Sequence, residues 1–152
     1  MKTLANPQDK ADLLKRLAAV RNDTPRVWGK MSAQQMICHL SDSYKVVTGK
    51  KPASYVENLF TRTLVKWAAL WLPFPWPHGT KTMPEVDQFV GGTPPTDFET
   101  DRRQLIALTE EFTANPAILA ASRHPFFGRM STDEWMRWAY LHMDHHLRQF
   151  GC

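Results

Sequence analysis

Three histidines fall within five residues near the C-terminal end of the chain, in Y-L-H-M-D-H-H-L-R-Q-F, where His142, His145 and His146 sit among apolar residues at helical spacing. Imidazoles in such a run are solvated surface groups, hydrogen-bonded core residues or ligands to a metal ion. The helical projection narrows the choice. With His142 at zero and about 100° per residue, His146 lies about 40° away, beside Trp135, Ala139, Met143 and Phe150, while Arg137, Asp144 and Arg148 fall on the far side. The i, i+4 pair therefore faces the core, with both rings placed to point at one ion. His145 projects about 60° to the other side, near Glu134 and Trp138 at the edge of the apolar face, and is not counted as a ligand.

A third inward histidine is available from another segment. His39 shares a helical face with Met36, Leu40, Ser43, Val46 and Val47, whereas Gln34, Ser41 and Lys45 project away. Three neutral imidazoles hold a divalent ion with a position left open for water or substrate, an arrangement used in catalysis. Asp42, three residues after His39, is placed to orient a ligand imidazole or to act as a base. His124, in R-H-P-F-F-G, is either a turn residue or a group reaching over the mouth of the site; His78, in P-W-P-H-G, reads as a loop residue. Cys38 projects about 100° from His39 and reads as a packed thiol. A lone inward histidine is more often a core residue than a ligand, and H-x-x-x-H arises by chance in many helices. On spacing alone, core packing and ligation both stay open.

The elements that must position these groups follow from apolar spacing and end signals. Helices are predicted over residues 8 to 21, 32 to 48, 54 to 72, 97 to 113 and 131 to 150. Between the third and fourth lies a Pro- and Gly-rich loop, 73 to 95, and strand signals are nearly absent. Two helix starts resemble each other, W-G-K-M-S-A-Q-Q-M at 28 to 36 and F-G-R-M-S-T-D-E-W at 127 to 135. Each places a serine three residues before Gln or Glu, the capping-box pattern, and each leads into a histidine-bearing helix.

With 152 residues and 43% hydrophobic content, the chain suits a single domain, 1 to 152, with a core that needs no cross-links. The net charge of +4 is spread along the chain with no basic run, which argues against nucleic acid as a partner. Two cysteines and the absence of a signal-like apolar N-terminus lead to the expectation of a cytoplasmic protein. The most lipophilic segment, L-V-K-W-A-A-L-W-L-P-F-P-W-P at 64 to 77, is interrupted by Lys66 and prolines and is too short to span a bilayer, so no membrane is expected either. Trp67, Trp71, Phe74 and Trp76 either pack in core and loop or wall a cleft for a partly apolar substrate.

On W-G-K-M-S-A-Q-Q-M-I-C-H-L-S-D-S and the terminal H-x-x-x-H helix, the chain resembles the DinB/YfiT-like metalloenzyme superfamily. H-P-F-F-G-R-M-S-T-D-E-W with H-M-D-H-H-L-R-Q-F-G resembles, more narrowly, an uncharacterised subgroup of it. The resemblance implies an all-α, four-helix bundle of up-down-down-up type, with an extra helix and a Pro-rich loop that have no assigned counterpart. It also implies that His39, His142 and His146 are the metal ligands and that a homodimer is a common assembly, for which an aromatic surface on the third helix would serve. Characterised relatives include transferases and isomerases that use a low-molecular-weight thiol. The expectation is then a metal-dependent enzyme acting on a small molecule, with zinc as the default ion and nickel as an alternative. The ion would activate a thiol for S-transfer or water for hydrolysis. The competing class is a noncatalytic helical module that keeps the metal or another ligand for stability.

Overall fold

Ser32 and Ser131 each open a long helix by the same device. The Ser32 side chain accepts from the Gln35 backbone N–H while the Gln35 side chain returns to the Ser32 N–H, and Ser131 and Glu134 repeat the exchange. Both predicted capping boxes are formed. In the computed structural model, which describes residues 1 to 152, they begin α2 (Ala33–Val47) and α6 (Thr132–Gln149). Two further helices are capped by single side chains: Asn6 opens α1 (Pro7–Ala19), and Asp97 opens α4 (Phe98–Ala114).

The fold is all-α apart from one two-residue hairpin. The short helices are α3 (Lys66–Trp71) and α5 (Pro116–Ala121); β1 (Arg123–His124) and β2 (Gly128–Arg129) pair antiparallel just before α6. Packing joins α2 to α4, α1 to α6, and both α2 and α3 to α6. The core between them holds Leu13, Leu17, Met36, Leu40, Phe112, Trp135 and Met143, all closed off from solvent. No helix is long and apolar enough to cross a membrane.

Several local expectations are corrected. The predicted helix over 54 to 72 forms only from residue 59: the chain is irregular up to Asn58, and a π-type turn over Thr61–Val65 leads into α3. The Val56 N–H bonds the Pro125 carbonyl, and Ser54 is held by Glu85, so tertiary partners take the groups a helix would have used. Pro116 starts α5 after an irregular Asn115, and this helix, like the hairpin, was not anticipated. Ser41 is buried, because α4, α6 and the 73 to 95 loop enclose α2 on nearly every side. That loop is pinned: Trp76 donates its indole N–H to the Ala69 carbonyl, and a 3₁₀ turn, Pro84–Val86, rests on α2.

Candidate metal centre

His39 from α2 and His142 and His146 from α6 converge, each offering a ring nitrogen within 4.8 Å of the others. The capped helix starts fix the phase of both helices, so the inward faces read from the sequence meet across the α2–α6 interface. His39 and His146 are buried, and His142 is half-buried. His39 Nε2 lies 3.2 Å from His142 Nε2. Two nitrogens bound tetrahedrally to one zinc ion are about 3.3 Å apart, from bond lengths near 2.05 Å. That pair already stands at the spacing of two zinc ligands, and the third nitrogen lies within 4.8 Å of both.

The outer ring nitrogens fix the tautomers. Nδ1 of His39 lies 2.8 Å from the Val86 carbonyl oxygen, which only accepts, so Nδ1 carries the proton and Nε2 presents its lone pair inward. His146 Nδ1 donates to Gln149 Oε1 at 3.0 Å, and the Gln149 amide is itself oriented by donating Nε2–H to the Trp28 carbonyl at 3.0 Å. Gly29 makes this second contact possible. A Cβ at Gly29, where φ is +81°, would stand 2.3 Å from Gln149 Nε2. The W-G pair that precedes the first capping box thus touches the site through the last turn of α6.

Burial holds the three imidazoles neutral. It lowers the His39 pKa despite the opposing Val86 bond, and it takes His142 and His146 well below the ordinary histidine range, aided by their mutual proximity. Neutral imidazole is the ligating form. One proton shared between His39 and His142 joins those rings, and an ion would replace it.

The other candidates are placed differently. Asp42 orients no imidazole. Its buried carboxylate takes the Thr93 hydroxyl at 2.6 Å on one oxygen, and the Thr93 N–H at 2.6 Å and the Lys51 ammonium at 2.8 Å on the other. With both oxygens engaged by the loop, Asp42 is neither ligand orienter nor free base; it ties down the segment that delivers the Val86 carbonyl. His124 is the turn residue of the two alternatives: its Nδ1 accepts from the Phe126 and Phe127 N–H groups at 3.1 Å, and its ring stacks on Phe127. Trp138 stands between it and His142, and burial pushes its pKa down to about 3. Cys38 is a buried free thiol, pushed up to about 12 by burial first and nearby Asp101 second.

His145 stays outside the converging set, as its projection predicts, and instead lines a cavity of about 360 Å³ with Trp28, Trp76, His78 and Arg148. Of the four aromatics read as either packed or walling a cleft, only Trp76 lines the cavity; Trp71 packs against the core, and Trp67 and Phe74 face solvent. Val86 and Gln149 were missed by sequence reasoning. A backbone carbonyl leaves no side-chain signature, but Gln149, three residues after His146 and hence on its side of the helix, was there to be read.

No curated protein and no solved structure is detectably similar to the chain. One family model matches residues 5–151, nearly the whole length, and its description is "Protein of unknown function (DUF1569)". The chain carrying this buried three-histidine cluster belongs to the DUF1569 family.

Proposed function

We propose that the protein is a metal-dependent enzyme in which His39, His142 and His146 hold a divalent ion, zinc before nickel, for chemistry on a small molecule. The observation that carries this reading is the set of three neutral imidazoles converging within 4.8 Å, two of them locked in the ligating tautomer by Val86 and Gln149. Hydrogen bonds of this kind serve ligation, since core packing alone gives no reason to turn the lone pairs of His39 and His146 toward a third imidazole. Three protein ligands leave a position for an exogenous group. The ion would supply Lewis acidity there and lower the pKa of a bound thiol or water. The chain's part is to fix the rings and keep them unprotonated.

A low-molecular-weight thiol as co-substrate, giving S-transfer, comes from the resemblance to the DinB/YfiT-like superfamily, and so does an up-down-down-up bundle formed by α1, α2, α4 and α6. The bundle is supported by the capped helix starts and by the α1–α6 and α2–α4 packing; the thiol rests on the resemblance alone. Elemental mass spectrometry on the wild type and on His39→Ala, His142→Ala, His146→Ala and His145→Ala tests the site. Near-stoichiometric metal in the wild type and His145→Ala, lost in the other three, is the expected result. Wild type that stays folded and empty after incubation with zinc and nickel refutes it and leaves a noncatalytic helical module. Turnover that requires no added thiol would assign the hydrolytic alternative.

A further inference from the structure

The cavity beside the histidine cluster has a composition of its own. Trp28 stacks face to face on His78 with ring centres 4.0 Å apart, and His145 meets Trp28 edge-on at 6.0 Å and Trp76 at 6.1 Å. Arg148 joins them in the lining, with Pro75, Gly151 and Cys152, and no carboxylate side chain contributes to it. The Arg148 guanidinium is engaged only by a long 3.7 Å contact to Asp144, whose other oxygen is already held by Arg16 at 2.6 Å. Most of its five N–H donors are therefore free. Indole and imidazole faces around an uncommitted guanidinium suit a flat apolar body that ends in an acid group. The two sites share walls: Trp76 lies 6.0 Å from His142, and His145 lies 5.1 Å from His146, centre to centre. They also share a backbone group, since the Trp28 carbonyl receives the Gln149 amide that orients His146.

We propose that this cavity binds a small aromatic carboxylate, its ring against Trp28 and Trp76 and its acid group on Arg148, next to the three-histidine site. That such a molecule is the substrate class rests on the metal reading above; that the cavity binds it does not. Calorimetric titration with 2-naphthoate, and with 2-naphthylmethanol as its neutral counterpart, tests the binding. The wild type and Arg148→Met are compared, each zinc-loaded and each stripped with a chelator.

The expected result is that naphthoate binds the wild type about tenfold more tightly than the alcohol, as a charge-assisted hydrogen bond requires. Arg148→Met should abolish that preference, and stripping the metal should leave it intact. Arg148 is exposed, so this variant keeps the fold. Naphthoate that fails to bind the wild type, binds Arg148→Met equally well, or binds only the zinc-loaded protein overturns the proposal; the last outcome would mean a carboxylate on the ion. If naphthoate binds as expected while the protein takes up no metal, the cavity assignment stands and the metal reading falls.

Discussion

Replacing Gln149 with methionine removes one hydrogen bond from the candidate centre while nearly conserving volume. His146 then loses the 3.0 Å acceptor that keeps its proton on Nδ1 and its ring in position. Partners of this kind are worth about 10- to 100-fold in metal affinity, or roughly 1.4–2.7 kcal/mol. Gly29→Ala attacks the same bond from the other side: its Cβ would lie 2.3 Å from Gln149 Nε2, so the amide must swing away from the Trp28 carbonyl or the turn must open. A non-glycine residue at that positive φ costs a further ~1–2 kcal/mol of stability. Zinc affinity, measured by competition with a chromophoric chelator, should fall by a similar factor in both variants. Because both break one chain of contacts, the double variant should bind zinc no more weakly than Gln149→Met alone. Circular dichroism and thermal unfolding of the zinc-free proteins separate loss of fold from loss of ligand orientation. A folded Gln149→Met that binds zinc as tightly as the wild type, or a double variant whose losses add, refutes the argument that Gln149 orients His146.

Two other expectations follow from buried polar groups. His124 has a folded pKa of about 3 because of burial, well below its unfolded value near 6.5, so only the unfolded chain takes up its proton between those limits, and stability falls as pH drops through that window. From pH 7 to pH 5 this amounts to about 2 kcal/mol. Urea denaturation of the wild type and His124→Asn should show that difference in pH dependence, and parallel behaviour would contradict it. Asp42→Ala strands the largely buried Lys51 ammonium and both Thr93 groups, and should cost about 3 kcal/mol in denaturant unfolding. A loss below about 1 kcal/mol would show that the buried carboxylate contributes no more than a surface pair.

The parts of the site that obey helical periodicity were legible in the sequence. Ser32 and Ser131 announce their helices, and a constant angular step then places His39, His142 and His146 inward and His145 at the edge. Where tertiary contacts overrule local preference, the reading failed. Residues 54 to 58 look helical but give up helix hydrogen bonds to Pro125 and Glu85. The helical projection turns Ser41 away from the His39 face, but α2 has almost no outward side. Asp42 has the right residue type and spacing for an imidazole partner, and only the path of the 73 to 95 loop, invisible to periodicity, gives its carboxylate to Thr93 and Lys51. The His39 partner, the Val86 carbonyl, could have come from any residue.

The uneven burial of the three imidazoles has a kinetic meaning. His39 and His146 are buried and His142 is half-buried, flanked by Trp76 at 6.0 Å and Trp138 at 5.0 Å. If the three rings hold an ion as proposed, its path on the His142 side would run between two indoles, the first carried on a loop that is tethered to α3 by the Trp76–Ala69 hydrogen bond. Exchange with a chelator would then run at the rate at which that tether opens, independent of chelator concentration once the chelator is in excess. Occupancy in a cell would be decided by which ion is present when the loop closes during folding, as much as by which ion binds most tightly.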